Sequence, residues 1–209
     1  KWLSYQKKWK EERNHSLQSL EFPFPYREGQ RKMVSSVYHA IGASRQIFIQ
    51  APTGVGKTMS TIFPAVRAVG EGKGETIFYL TAKTITRTVA QEALEVLREK
   101  GMKYKVVTIT AKEKLCFMDE TKCDPVHCPY ARGHFDRVND AVYELWTTKS
   151  RYDRETIREQ AEKWQVCPFE MCLDLSVWVD AVICDYNYVF DPTVHLKRFF
   201  GEGAGGDYI

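Results

Sequence analysis

Two spacings of apolar residues take turns along this chain. Ile47-Phe48-Ile49, Thr76-Ile77-Phe78-Tyr79-Leu80 and Val106-Val107-Thr108-Ile109 are short, β-rich apolar runs of the kind that fill a buried strand. Between them apolar side chains recur at helical spacing. After Arg27-Glu28-Gly29-Gln30 they fall at Met33, Val34, Val37, Tyr38 and Ile41. Met59 to Val69 forms the next helix and stops in the glycine-rich turn Gly70 to Gly74, and a long amphipathic helix then runs to about Lys100. Phe135 to Trp146 and about Arg154 to Trp164 extend the helical pattern, the second with Asp153 as its N-cap. Strands alternating with helices predict an α/β fold with a parallel sheet flanked by helices, whose sites gather at the carboxyl ends of the strands. Ahead of this, Lys1 to about Leu20 reads as a polar helix carrying Trp2, Leu3, Tyr5, Trp9 and Leu17, ended by Phe22-Pro23-Phe24-Pro25-Tyr26. Residues 1–25 are expected to be a solvated helical lead-in from an upstream region, although Lys7-Lys8-Trp9-Lys10 offers charge to a phosphate.

Composition changes this picture little. A hydrophobic content of 44% over 209 residues supports a packed core in one domain, or one domain with a sizeable insertion. The net charge of +3 neither proves nor opposes a nucleic-acid partner. No apolar run reaches membrane-spanning length and no signal-peptide pattern is present, so the expectation is a cytoplasmic protein with no membrane partner. The chain starts at Lys1 rather than Met, which reads as a piece of something longer.

The first candidate chemistry follows the run at Ile47. Ala51-Pro52-Thr53-Gly54-Val55-Gly56-Lys57-Thr58 has the order of a phosphate-binding loop: apolar strand, glycine-bearing turn, Lys-Thr at the mouth of a helix. Gly54 and Gly56 let successive backbone N–H groups converge on phosphate oxygens, and the helix points its positive end at the same anion. Lys57 adds a full charge near the outer phosphates, and the Thr58 hydroxyl suits a magnesium ion. On the same edge of the expected sheet, Thr81, Lys83, Thr84 and Arg87 follow a strand end. They read equally as single-strand phosphate contacts or as a loop that only caps a helix.

The second candidate is a cysteine series. Cys116, Cys123, Cys128 and Cys167 form C-x6-C-x4-C-x38-C, with Cys172 and Cys184 beyond. In a chain that reads as intracellular, such a cluster points to metal rather than to disulfides. Thiolates favour an iron–sulfur cluster or zinc. The wide, uneven spacing fits the paired knuckles of structural zinc poorly, although His127 and His134 lie near enough in sequence to serve as zinc ligands.

These residues together resemble the XPD/DinG-type iron–sulfur helicases. Lys114-Leu115-Cys116, Cys123, His127-Cys128-Pro129-Tyr130-Ala131-Arg132 and Val166-Cys167-Pro168-Phe169 look like that family's four-cysteine insertion. Ala181-Val182-Ile183-Cys184-Asp185-Tyr186-Asn187-Tyr188-Val189-Phe190-Asp191-Pro192 resembles the strand and loop ahead of its DEAH box. The loop beginning at Ala51 and the upstream Gln30, in the place of a glutamine that reads the adenine edge, match the superfamily 2 form. The resemblance runs from about Tyr26 to Ile209. It implies a RecA-like first motor domain (26–111 and 171–209) interrupted by a mostly helical iron–sulfur insertion (112–170). It implies ATP, Mg²⁺ and a 4Fe-4S cluster as cofactors, with the cluster held by Cys116, Cys123, Cys128 and Cys167. The implied parent moves 5′→3′ on single-stranded DNA in repair or recombination, with a second motor domain as its partner. Cys172 and Cys184 match no ligand position and read as packing and strand residues. Asp185 lacks a neighbouring Glu, so the magnesium-holding Asp and the catalytic Glu are expected beyond Ile209, and a polypeptide ending there is expected to be inactive. A zinc-stabilised nucleic-acid binding module with a vestigial loop, and a P-loop ATPase that remodels another protein, are the other readings the residues allow.

Overall fold

A computed structural model describes residues 1–82 and 84–209. Its sheet is parallel throughout, as the alternation predicts, in the order β1-β4-β2-β3. The strands are β1 (Ile77–Thr81), β2 (Val106–Thr108), β3 (Arg151–Tyr152) and β4 (Ala181–Asp185). The longer helices are α1 (Trp2–Gln18), α2 (Gln30–Gly42), α3 (Lys57–Gly70), α4 (Thr84–Glu99), α6 (His134–Thr148), α7 (Arg154–Trp164) and α8 (Pro168–Ser176). The short helices are α5 (Lys112–Leu115), α9 (Asn187–Phe190) and α10 (Lys197–Phe200). Asp153 caps α7 as expected, its Oδ1 accepting the Thr156 amide at 3.0 Å.

The period of two along each strand sends alternate residues to opposite faces. Register aligns Phe78, Val182, Val107 and Tyr152 in one row across the sheet. Val182, Val107 and Tyr152 belong to a core that also holds Val142, Trp146, Ile157 and Leu175 from α6, α7 and α8. Ile77, Ala181, Val106 and Ile183 face the other way, into a core built with Val66, Val69, Ala90 and Leu97 from α3 and α4. The segment 112–170 therefore contributes a strand and two helices to the packing of the sheet itself.

The structure departs from the sequence reading in two places. Ile47-Phe48-Ile49-Gln50 joins no strand ladder, and Phe48 is 94% exposed. A β-strand is stable only beside another strand, and on this flank β1 pairs with the C-terminal Tyr208 and Ile209 instead. The lead-in helix, in turn, is packed rather than solvated. Leu17 is fully buried under α3, and Trp2 stacks with Trp146 at a centroid distance of 5.6 Å. Arg13 and Asp180, 5% and 4% exposed in their side chains, form an ion pair at 2.6 Å. The second Asp180 oxygen accepts Trp9 Nε1 at 3.0 Å and the Lys105 amide at 2.8 Å. Removing one partner of such a pair leaves the other charged and buried. Arg13→Ala should accordingly destabilise the protein by about 3–5 kcal/mol, read by denaturant unfolding; a change below about 0.5 kcal/mol would mean that water reaches Asp180.

Lys105 closes the same corner. It is 1% exposed, donates to the Lys149 carbonyl at 2.8 Å and to the Trp146 carbonyl, and lies 4.3 Å from the Trp9 ring centre. Burial pulls its pKa down to about 8, against the attraction of Asp180 and helped by Arg98. The depressed value sets the sign. Between pH 8 and the ordinary lysine range the unfolded chain binds a proton that the folded chain has released. This group therefore adds stability as pH rises through that window, and its penalty is fully present below it. The melting-temperature difference between wild type and Lys105→Met should widen in favour of wild type from pH 7.5 to about 10; a difference that stays constant would place the native pKa at its unfolded value.

Candidate nucleotide and nucleic-acid sites

Gly54 and Gly56 have φ of 85° and 77°, left-handed conformations that glycine adopts without strain, and they turn the chain into the first turn of α3. Lys57 is the first helical residue, and its Nζ folds back to the carbonyls of Ala51 at 2.9 Å and Pro52 at 3.3 Å. Pro52, Thr53, Gly54 and Lys57 are exposed while Ala51, Val55 and Thr58 are half-buried, so the loop presents an open face above a helix N-terminus. Two residues of the preceding segment reach it. The Arg27 guanidinium donates to the Gly54 carbonyl. Gln30 is 4% exposed, its Oε1 accepts the Arg27 amide at 3.0 Å, and a Cβ at Gly56 would meet its Nε2 at 2.7 Å. Gln30, predicted from its motif position, is thus seated against the phosphate loop. Arg27 was not singled out in the sequence; its place three residues before Gln30 was the available signal.

A cleft of about 810 Å³ lies at the carboxyl ends of the strands. Arg87, Lys112, Lys114, Lys197 and Arg198 bring cations to it, and Phe169 and Tyr188 bring aromatic rings. Of the predicted edge residues, Arg87 lines this cleft, half-buried, and its Nε is without a partner among the described residues. Thr81 is 1% exposed, so its hydroxyl lies beneath the surface. Lys83 lies outside the described residues, and Thr84 begins α4. Asp185 lines the cleft too, and its Oδ1 accepts at 2.9 Å the amide of Asn187, the first residue of α9. The basic residues of 112–114 and 197–198 were not picked out in the sequence, because nothing local tells a cation in a cleft from one on a solvated face.

The four predicted cysteine ligands come together. Cys116, Cys123, Cys128 and Cys167 line one small cavity of about 30 Å³, walled by Phe117, Met118, Tyr130 and Phe169. None is in a disulfide. Among the described residues no three of His, Cys, Asp and Glu are close enough to hold a single metal ion. The donor set is all thiol and its walls are largely apolar, which fits a thiolate-held metal centre, zinc or iron–sulfur. His127 lies on the surface with Nδ1 2.8 Å from Asp124, and His134 is buried behind Cys167; neither lines the cavity. Cations stand close by. Lys112 lines the cavity, its pKa raised chiefly by Cys123, and the Arg158 Nη1 donates to the carbonyls of Leu115 at 2.7 Å and Cys116 at 3.2 Å. Cys172 and Cys184 are fully buried elsewhere in the core, where desolvation pushes both thiols up to about 12. That keeps them protonated and poor metal ligands.

Among the described residues no helix is long and apolar enough to cross a membrane. Comparison with known proteins matches residues 27–130 to the DEAD/DEAH box helicase family and residues 98–199 to the DEAD_2 family. The first match takes in Gln30 and the phosphate loop, the second all four cavity cysteines. A probable ATP-dependent helicase of Methanocaldococcus jannaschii is 25% identical over 79% of this chain and 24% of its own length. A regulator of telomere elongation helicase 1 homolog of Caenorhabditis briggsae is 22% identical over 88% of this chain and 23% of its own length. The chain spans about a quarter of these relatives. The ordered phosphate loop, the four converging cysteines and the paired matches lead to one conclusion: the chain belongs to the XPD/DinG-type branch of the superfamily 2 DEAD/DEAH-box helicases.

Proposed function

We propose that this chain is the first motor domain of an ATP-driven 5′→3′ DNA helicase of the cytoplasm, acting in repair or recombination. Its four-cysteine segment holds a 4Fe-4S cluster that serves structure and strand separation. The observation that carries the reading is the phosphate loop with its neighbours: Gln30 packed on Gly56, Arg27 on Gly54, and Lys57 at the helix mouth. ATP and Mg²⁺ bind there, with Lys57 and the loop amides on the phosphates and Thr58 on the metal. Lys57 leaves the Ala51 and Pro52 carbonyls and turns to the outer phosphates when nucleotide enters. Cys116, Cys123, Cys128 and Cys167 are the cluster ligands, and bound iron would tie the turns and coil of 116–133 to the packed segment around Cys167. The second motor domain completes the nucleotide site. A polypeptide ending at Ile209 should bind nucleotide weakly and release phosphate at the background rate; DNA-stimulated turnover by it would give Asp185 the magnesium role.

Single-stranded DNA follows the strand ends through the basic cleft, touching Lys83, Thr84 and Arg87, while Thr81, expected among the contacts, is buried beneath them and does not reach it. Lys83→Ala and Arg87→Ala should each weaken binding whatever the base sequence and lower the slope of log affinity against log salt by about 1. Fluorescence anisotropy over a salt series measures both, and unchanged affinity and slope would remove these residues from the track. The test of the whole reading is phosphate release by the full-length protein, with and without single-stranded DNA. Stimulation by DNA supports it, and stimulation only by a protein partner would make the enzyme a remodelling ATPase.

A further inference from the structure

The first turn of α6 makes a set of bonds that neither the phosphate loop nor the cleft uses. Gly133, with φ of 66°, turns the chain sharply into this helix directly after the Cys128 segment. The first residue, His134, is 4% exposed and accepts the backbone amide of Cys167 on Nδ1 at 3.2 Å, across 33 positions. An imidazole accepting at Nδ1 carries its proton on Nε2. That Nε2 is buried without a partner among the described residues. An unpaired buried donor is costly, so the ring is held here in spite of Nε2 and for the bond at Nδ1. One turn on, Arg137 donates from Nε to the Trp164 carbonyl at 3.0 Å, and from Nη2 to the carbonyls of Gln165 at 2.6 Å and Arg132 at 2.8 Å. Arg132 follows Cys128 by four residues, and its amide bonds the Cys128 carbonyl. Trp164 and Gln165 lead into Cys167, the N-cap of α8. His134 and Arg137 thus tie the backbone of the third cysteine's segment to that of the fourth through one rigid helix turn.

We propose that His134 and Arg137 are positioning residues for the four-cysteine site, setting the Cys167 backbone against the Cys128 segment before any ligand binds. The proposal rests on the reading that these cysteines hold an iron–sulfur cluster. Residues behind metal ligands fix ligand orientation, and losing one typically costs 10–100-fold in metal affinity. His134→Leu keeps bulk in the pocket and removes the acceptor. His134→Asn puts Oδ1 close to where Nδ1 stands and keeps it.

The experiment uses anaerobically purified full-length protein. Iron and acid-labile sulfide per chain are measured first, then the rate of iron loss to an excess of an iron chelator, with circular dichroism to confirm folding. Wild type should carry both elements. His134→Leu and Arg137→Ala should release iron about 10-fold faster or more, and His134→Asn should stay within about 3-fold of wild type. The electron paramagnetic resonance signal of the reduced protein should shift in His134→Leu and return in His134→Asn. If wild type is loaded and His134→Leu releases iron at its rate, the positioning role falls while the cluster reading stands. If His134→Asn is as leaky as His134→Leu, the acceptor is not what matters and the proposal falls as well. A wild-type protein without iron and sulfide overturns both.

Discussion

Lys57→Ala should lower DNA-stimulated phosphate release by the full-length protein by about 10³-fold or more, the scale of losing one cation from a phosphoryl-transfer transition state. Phosphoryl transfer asks little covalent chemistry of a protein and much positioning of charge. Here the positioning is visible before nucleotide arrives. Lys57 is the first residue of α3, so its stem is fixed where the helix dipole is most positive, and its ammonium is parked on loop carbonyls within reach of the anion site. Alanine keeps the helix and the loop glycines, so folding should be unaffected. The core beneath α3, with Ile62, Val66 and Val69 buried, makes no use of the Lys57 side chain, which is exposed. Phosphate release at saturating ATP, with melting temperature as the control, checks the claim. The iron content of Lys57→Ala should equal that of wild type, because the loop and the cysteine cavity are built from separate segments of the chain. A variant that loses turnover and iron together would show instead that the two sites fold as one unit.

What could be read from the sequence divides along a physical line. Local signals were sound: the helix-mouth position of Lys57, the Asp153 cap and the strands β1 and β2 all follow from residues near one another in the chain. What could not be read depends on partners far away in sequence. Arg13 looked like one more charge on a polar helix, and only Asp180, 167 positions later, makes it a buried residue. Lys105 stands directly before a strand and resembles a surface lysine; the carbonyls that cap it belong to Trp146 and Lys149. β3 is two residues long and carries no pattern of its own. Ile47-Phe48-Ile49 had the local look of a strand, but strand formation needs a neighbour that local sequence does not supply. The convergence of four unevenly spaced cysteines on one cavity lies between these cases: the family resemblance nominated them, and the fold brings them together.

Serine at Cys116, Cys123, Cys128 or Cys167 should strip iron from the full-length protein, whereas serine at Cys172 or Cys184 should leave it in place. The first four line the shared cavity; the last two are buried in the core with thiols pushed up to about 12, held by packing rather than by a ligand role. Serine's hydroxyl is a harder donor than a thiolate and holds a soft metal poorly. The structure also says where order should be lost. Val138, Val142, Trp146 and Ile157 lock α6 and α7 onto the sheet without help from metal. Between α5 and α6, by contrast, residues 116–133 form turns and coil, with Cys128 the one cysteine of the three there that is buried. On the proposed reading, metal ligation is the main cross-link for this stretch. Hydrogen exchange in Cys123→Ser should therefore speed up in 117–133 and stay slow in α6 and α7. Faster exchange across the whole of 112–170 would mean that the helices, too, depend on the cysteines. Loss of iron on Cys172→Ser with retention on Cys123→Ser would reassign the ligands. Stoichiometric zinc in a colourless wild-type protein would replace the cluster by an ion, and the cavity would then have to contract for its thiols to meet around one metal centre.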